Sequence, residues 1–165
     1  MGELCYTNPS CLHENVSREG TLPHVRKNHR VTNTVSDDII GPFVRHLGLE
    51  FGEVSGDRVT GTWEAREDLH QPYGIVHGGV HCSVVETLAS VGAAMWFADR
   101  GRVVGVSNAT DFYRAVSDGP MTSVATPVHR GRSQQVWIVE TRDPDDRLVS
   151  RGQVRLQNVS SDFAS

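Results

Sequence analysis

One carboxylate stands in the middle of the longest apolar stretch of the sequence. Residues 77–98 read HGGVHCSVVETLASVGAAMWFA, and Glu86 carries their one formal charge. An apolar run of about 20 residues predicts a helix that other parts of the protein bury on most sides. A carboxylate in such a helix is costly unless it is hydrogen-bonded or used in chemistry. Glu86 is therefore the first candidate catalytic residue.

Two glycines stand where this helix is expected to start. Gly78 and Gly79 follow His77 and leave backbone N–H groups unhindered at the positive end of the helix dipole, where an oxyanion binds well. An oxyanion site combined with a carboxylate suggests hydrolysis of an acyl group. His77 is equally a candidate for catalysis and for a helix-entry residue that bonds the loop backbone.

The two faces of the predicted helix differ in side-chain size. The bulky face is suited to core packing and consists of Val80, Val84, Leu88, Val91 and Met95. The opposite face is small apart from the glutamate, so a substrate can approach the carboxylate closely; it consists of Gly79, Cys82, Ser83, Glu86, Ala89, Ser90 and Ala93. Cys82 has no evident base partner, so it is interpreted as a small residue of the core or of the acyl pocket.

The length of the helix predicts a dimer. Gly78 and Glu86 are eight residues apart, which corresponds to about 12 Å of helix rise. A glutamate side chain cannot close that gap to the few ångströms that a reacting carbonyl requires. Two antiparallel copies related by a two-fold axis can combine the two groups in two equal sites. We expect an obligate dimer in which Glu86 faces the partner's Gly78.

The segments around the helix predict an α+β fold. A short helix is expected over residues 39–47, with an N-cap among residues 36–38 and an end at Gly48. Strands are expected over residues 49–54, 58–67, 103–113, 121–128, 134–141 and 148–159. Short turns between the last four strands predict an antiparallel meander. The order of elements indicates one sheet wrapped around one helix.

Composition bounds the class of protein. The 165 residues suit one domain, and the net charge of −4 gives no bulk electrostatic case for nucleic acid or membrane. Residues 1–34 are polar and weakly patterned, so we expect a flexible or late-docking tail before a domain at 35–160. No secretory signal is evident and the three cysteines form no disulfide framework, which favours a cytoplasmic location.

Metal ligation is a weaker interpretation of the histidines and cysteines. Cys5, Cys11 and His13 match the spacing of no closed zinc module. His77 and His81 are four residues apart, but His77 is expected to precede the helix and Glu86 is out of phase with both. We therefore expect no metal and no cofactor.

The segment that runs from Gln71 through His77-Gly78-Gly79 to Glu86 and Ser90 resembles the hotdog-fold acyl-CoA thioesterases. The group is the one related to phenylacetate-pathway and 4-hydroxybenzoyl-CoA thioesterases, and the similar pattern covers residues 38–158. The spacing H-G-G-x6-E is considerably more specific than a lone HGG. The resemblance implies an antiparallel sheet around the helix, dimers with two active sites at the interface, and often tetramers.

The resemblance also implies roles for individual residues. Glu86 would be the nucleophile or the general base, and the Gly78 amide would polarise the thioester carbonyl. Gln71 and His77 would support the carbonyl or the loop, and Ser90 would hold the water or the carboxylate. Further substrate contacts are expected from Gly79, Tyr73 and Cys82, and contacts to the phosphates of coenzyme A from Arg114, Arg132 and Ser133.

Two other functions use a similar fold or motif. A hotdog enoyl-CoA hydratase or dehydratase would pair a catalytic histidine with an acid in a different motif, which is not found here. A non-catalytic acyl-CoA-binding module would bind tightly without turnover. A serine hydrolase is disfavoured because the segment from Gly105 to Ala109 fails the G-x-S-x-G pattern at its last position.

Overall fold

The computed structural model describes residues 40–160. The expected tail at residues 1–34, with Cys5, Cys11 and His13, lies outside the described residues. Within residues 40–160 the two α-helices are α1 (Pro42–Leu47) and α2 (Gly78–Phe97). The six strands of this part of the chain are β1 (Glu50–Val54), β2 (Val59–Ala65), β3 (Gly101–Phe112), β4 (Gly119–Arg130), β5 (Gln134–Arg142) and β6 (Leu148–Ser160). This order of elements is the predicted one.

Helix α1 begins later than expected because of Pro42. Gly41 is the N-cap, with an extended backbone at φ −62° and ψ 165°, and Pro42 occupies the first helical position. A proline disfavours helical conformation in the residue before it, whereas its own fixed φ suits the first turn. The predicted end is confirmed, since Gly48 closes the helix in the left-handed conformation at φ 69°.

The six strands form one antiparallel sheet in the order β1-β2-β4-β5-β6-β3. The predicted meander is correct for β4, β5 and β6 but wrong for β3, which pairs with β6 from Gly101↔Ser160 to Phe112↔Ser150. Strand β4 already has β2 on one side and β5 on the other. Strand β3 therefore lies at the far end of the sheet, with its second edge unpaired in the described chain.

Helix α2 lies against the sheet as the central core element. Val84, Val85 and Leu88 are fully buried, but so are Ala89 and Ala93, which the sequence placed on the small, substrate-facing side. The helix lies close to β5 on this side, since at Gly92 a Cβ atom would lie 2.6 Å from the Trp137 ring. The helix thus approaches the sheet closely on small residues, and its position in the core explains its apolar composition.

Candidate active site

The backbone amide of Gly78 lies at the start of α2. His77 is the N-cap, and its Nδ1 accepts a hydrogen bond from the Gly79 N–H at 2.9 Å. The His77 carbonyl accepts from the Val80 N–H, also at 2.9 Å. The Gly78 N–H finds no acceptor among residues 40–160. His77 therefore caps α2 by accepting the Gly79 and Val80 N–H groups, and the Gly78 N–H is left available for a ligand.

The loop before α2 is tied to its neighbours by backbone hydrogen bonds. The His77 N–H donates to Leu69 O at 2.9 Å, and the Val76 N–H donates to Val116 O at 2.8 Å. Further upstream, the Gln71 N–H donates to Ile75 O at 2.8 Å. These bonds fix Gln71 and Gly78 relative to each other.

A cavity of about 330 Å³ opens beside Gly78. Its lining includes Gln71, Gly78, His81, Phe112, Tyr113 and Arg114. Two predicted site residues, Gln71 and Gly78, therefore share one cavity with the predicted coenzyme contact Arg114. The size is suited to a small ligand and the walls are largely apolar.

Glu86 does not line this cavity; it faces strand β3. Asn108 Nδ2 donates to Glu86 Oε2 at 3.1 Å and to the Cys82 carbonyl at 3.0 Å. Thr110 Oγ1 donates to Asn108 Oδ1 at 2.7 Å, which orients the amide group. Strand β3 can approach the carboxylate because residue 105 is glycine, where a Cβ atom would overlap Glu86 Oε1. The carboxylate is thus held through one oxygen.

Asn108 and Gly105 are site residues that sequence reasoning missed. A glycine inside a strand indicates a bulge or the close approach of another group, and this signal was present at Gly105. A bulge lies between Gly105 and Ser107 in the pairing with β6. The partner of Glu86 could not be identified from the sequence, because it depends on which strand faces the helix.

The remaining predicted residues lie at several different places. Ser90 is half-buried one turn beyond Glu86, and Cys82 is half-buried one turn before it. Tyr73 is 87% exposed and does not line the cavity beside Gly78. Arg132 and Ser133 line a separate depression, where Asn158 Nδ2 donates to the Arg132 carbonyl at 3.2 Å. One chain therefore does not bring all predicted residues together.

His81 is a buried histidine that the sequence suggested only as a metal ligand. Within residues 40–160 no three metal-binding side chains converge. Its ring packs edge-on against Trp63, with centroids 5.5 Å apart, and tilted against Phe112 at 5.8 Å. Burial lowers the pKa of His81 from 6.5 to about 4, because the cation would lose its hydration. The ring is therefore neutral at physiological pH.

Several known proteins are similar to this chain in sequence and fold. The crystal structure of AziG from S. sahachiroi is 58% identical and superposes with a TM-score of 0.72, over 73% of this chain and 98% of that one. A structure from Mycobacterium tuberculosis is 47% identical, also with a TM-score of 0.72, and the match covers 73% of this chain and 98% of the other. The proofreading thioesterase EntH of Cronobacter turicensis is 32% identical over 121 residues, which are 73% of this chain and 88% of EntH.

The family assignment rests on these relatives together with the fold. The family model described as "Thioesterase superfamily" matches residues 73–150, the segment that holds the start of α2, Glu86 and Asn108. One long helix against a six-stranded antiparallel sheet is the predicted hotdog architecture. The chain belongs to the thioesterase superfamily and is a hotdog-fold thioester hydrolase.

Proposed function

We propose that this enzyme hydrolyses a coenzyme A thioester of a small or aromatic acyl group to the free acid and coenzyme A. Glu86 is the nucleophile or general base, and the partner's Gly78 amide stabilises the oxyanion. The observation that carries the proposal is the separation of two complementary groups. The Gly78 N–H has no acceptor among residues 40–160 and Gly78 lines one cavity, whereas Glu86 lies two helical turns away against an exposed strand.

Strand β3 supports a dimer in which these groups are combined. It is 12 residues long, and its Val104 and Val106 are 47% and 48% exposed. A long apolar edge strand is a template for pairing with another chain. Pairing two β3 strands antiparallel would bring Glu86, which already leans on β3, towards the partner's helix start. Assembly of such dimers into tetramers and a cytoplasmic location stay separate predictions.

The chemistry needs a carboxylate and one oxyanion donor. As a nucleophile, Glu86 forms a bond to the thioester carbon, the thiolate of coenzyme A leaves, and water then hydrolyses the resulting anhydride. As a general base, Glu86 removes a proton from the water that attacks the same carbon. In both routes the Gly78 N–H stabilises the negative oxygen of the tetrahedral intermediate. Asn108 holds Oε2, while Oε1 accepts no hydrogen bond from residues 40–160 and lies against Gly105 of β3.

Gln71, Ser90 and the basic residues complete the proposal. Gln71 lines the cavity with Gly78, so its amide can support the substrate carbonyl. Ser90 follows Glu86 by one turn on the accessible side of the helix, where it can hold a water. Arg114 lies on the cavity beside Gly78 and is exposed, so it suits a phosphate of coenzyme A. Arg132 and Ser133 remain candidates for a second phosphate contact.

The test is thiol release from a panel of acyl-CoAs by wild type and by Glu86→Gln. Glutamine keeps an oxygen that can accept from Asn108, so the variant should fold while kcat/KM falls by about 10²–10⁴-fold. Glu64→Gln, at an exposed glutamate on β2, is the matched control. Full activity of Glu86→Gln would overturn the assignment. Hydration of an enoyl-CoA without thiol release would instead support the hydratase alternative.

A further inference from the structure

Asn158 is a buried residue near the end of β6 that holds the turn between β4 and β5. Its backbone N–H donates to Ser133 O at 2.8 Å. Its side-chain Nδ2 donates to Gly131 O at 3.0 Å and to Arg132 O at 3.2 Å. The carbonyls of three consecutive turn residues are thus bonded to one residue of another strand, which fixes the conformation of the turn.

A chain of buried hydrogen bonds determines the orientation of the Asn158 side chain. The indole N–H of Trp137 can only donate, and it lies 3.0 Å from Gln135 Oε1. The Gln135 Nε2 must then face away from the indole, where it donates to Asn158 Oδ1 at 2.8 Å and to the Ala93 carbonyl of α2 at 3.2 Å. Asn158 Oδ1 is thereby used, so Nδ2 faces the turn. Trp137 and Gln135 are fully buried, which strengthens these bonds.

The turn that Asn158 holds presents several hydrogen-bond donors to solvent. Arg132 and Ser133 are exposed, and their backbone N–H groups find no acceptor among residues 40–160. Both residues line a depression of about 420 Å³ together with residues 157–160, and none of these lining residues is acidic. Two successive N–H groups, a guanidinium and a hydroxyl form a site that suits a phosphate.

The depression lies near Glu86 along strand β3. Asn158 pairs with Val103, two residues before Gly105, and Glu86 Oε1 lies against Gly105. Two residues of a strand cover about 7 Å. The pantetheine arm of coenzyme A is longer than this distance, so a thioester beside Glu86 can have its phosphates in the depression.

We propose that Asn158 is a positioning residue for coenzyme binding. It holds the turn so that Arg132, Ser133 and their two backbone N–H groups receive a phosphate of coenzyme A. Both hydrogens of its own side-chain amide are already used, so Asn158 acts through the turn and not by contact with the phosphate. Gln135 supports this role by orienting the Asn158 amide. The inference rests on the proposed function, because it takes coenzyme A as the leaving group.

The experiment compares two thioesters of one acyl group, the one that wild type releases fastest in the acyl-CoA panel. One thioester is that of coenzyme A and the other is that of pantetheine, which carries no phosphate. Wild type should prefer the coenzyme A thioester in kcat/KM. In Asn158→Leu, which removes both side-chain donors, this preference should fall by about tenfold, through KM and not through kcat. Asn158→Ser retains one hydroxyl donor and should lose less of the preference.

Two further variants separate the role of the turn from a general loss of stability. Arg132→Gln removes the guanidinium itself and should also lower the preference. Combined with Asn158→Leu, it should lower the preference by less than the product of the two single effects, because both act on one phosphate contact. Ser123→Ala is the matched control, since it breaks buried hydrogen bonds with Trp63 and Thr141 and should leave the preference unchanged. If Asn158→Leu does not fold, Asn158→Ser takes its place in each comparison.

Four results would overturn the inference. The first is a wild type without preference for the coenzyme A thioester. The second is an undiminished preference in the Asn158 variant or in Arg132→Gln. The third is an Asn158 variant that loses the same factor on both thioesters, because Asn158 would then support the fold in general. The fourth is a double variant whose effect equals the product of the single effects. Failure of the proposed function gives a different result, the absence of thiol release from every acyl-CoA in wild type.

Discussion

His81 and Glu86 lie five residues apart on the same helix, and the protein surrounds them in opposite ways. The His81 ring is enclosed by Trp63, Phe112 and Ser150, which come from three different strands. Glu86 is half-buried against one exposed edge strand, where its hydrogen-bond partner Asn108 is itself exposed. The difference teaches that the His81 ring is enclosed within one chain, whereas Glu86 is open on the side where β3 has a free edge.

The bulge in β3 contributes to this difference. Gly105 pairs with Leu156 and Ser107 with Arg155, so Val106 is an extra residue on the edge strand. A bulge of this kind changes the direction in which the following side chains point. Two residues later, Asn108 reaches Cys82 and Glu86 on the helix. The edge strand thus positions the carboxylate while its outer edge stays available for pairing.

Replacing Gly78 by proline should have the largest effect on the oxyanion half of the site. Proline is tolerated at the first position of a helix, and the extended His77 backbone, with ψ 135°, suits the residue before a proline. The substitution removes the N–H, so kcat should fall by about 10²–10³-fold. The measurement is thiol release at saturating acyl-CoA.

Gly78→Ala is the matched control for this substitution. Both variants place a Cβ atom 3.1 Å from Phe112 Cζ, the far end of an exposed side chain that can shift. Only the alanine variant retains the N–H, so it should keep most of the activity that proline removes. Equal activity of the two variants would mean that the Gly78 amide is not the oxyanion donor.

A mixed dimer should then show whether the two groups come from different chains. A heterodimer of Gly78→Pro and Glu86→Gln chains, purified through two different tags, would contain one site with both substitutions and one intact site. Its activity should reach about half that of the wild-type dimer, although each parent homodimer is nearly inactive. A heterodimer as inactive as its parents would place both groups in the same chain, and an active monomer would exclude the shared site altogether.

The parts of the fold that depend on local pattern could be predicted from the sequence. In β2, Val59, Gly61, Trp63 and Ala65 alternate with polar residues, and all four are buried as expected. The position of β3 could not be predicted, because a strand's neighbour depends on which edges other strands leave free. The burial of Ala89 and Ala93 was likewise missed, since it depends on how α2 packs against strands that follow it in the chain; the Ala93 carbonyl, for example, accepts a hydrogen bond from Gln135 Nε2 at 3.2 Å.

The residues of the candidate site also fall into two groups, those that one local segment predicts and those that depend on contacts between distant segments. Gln71, Gly78 and Glu86 could be predicted as site residues because they lie within one continuous segment, in which the spacing favours Gly78 and Glu86 and the family resemblance adds Gln71. Asn108 was missed because its contact to Glu86 depends on the packing of β3 against α2. Ser150 and His81 are 69 residues apart, and only the register of β6 brings the hydroxyl to the ring. Contacts between distant segments are therefore what the structure adds.

The smallest expected effect concerns stability in acid. Burial lowers the pKa of His81 from 6.5 to about 4, so between these values the unfolded chain binds more protons than the folded one. Stability therefore rises with pH in this window and falls on acidification. Between pH 7 and pH 5 the free energy of unfolding should drop by about 2 kcal/mol from this group.

Urea denaturation of wild type, His81→Phe and His129→Phe at pH 7 and pH 5 checks this expectation. His81→Phe should lose distinctly less stability between the two values, whereas His129→Phe, at an exposed histidine, should behave like wild type. Asp143 does not affect this comparison. Burial raises its pKa, but the hydrogen bonds from Arg147 and the Asp145 amide lower the pKa by more, so it lies below its ordinary value. The stability that Asp143 contributes is lost only in stronger acid. If His81→Phe loses as much stability as wild type, burial does not lower the pKa of His81, and the ring is less fully enclosed than its contrast with Glu86 requires.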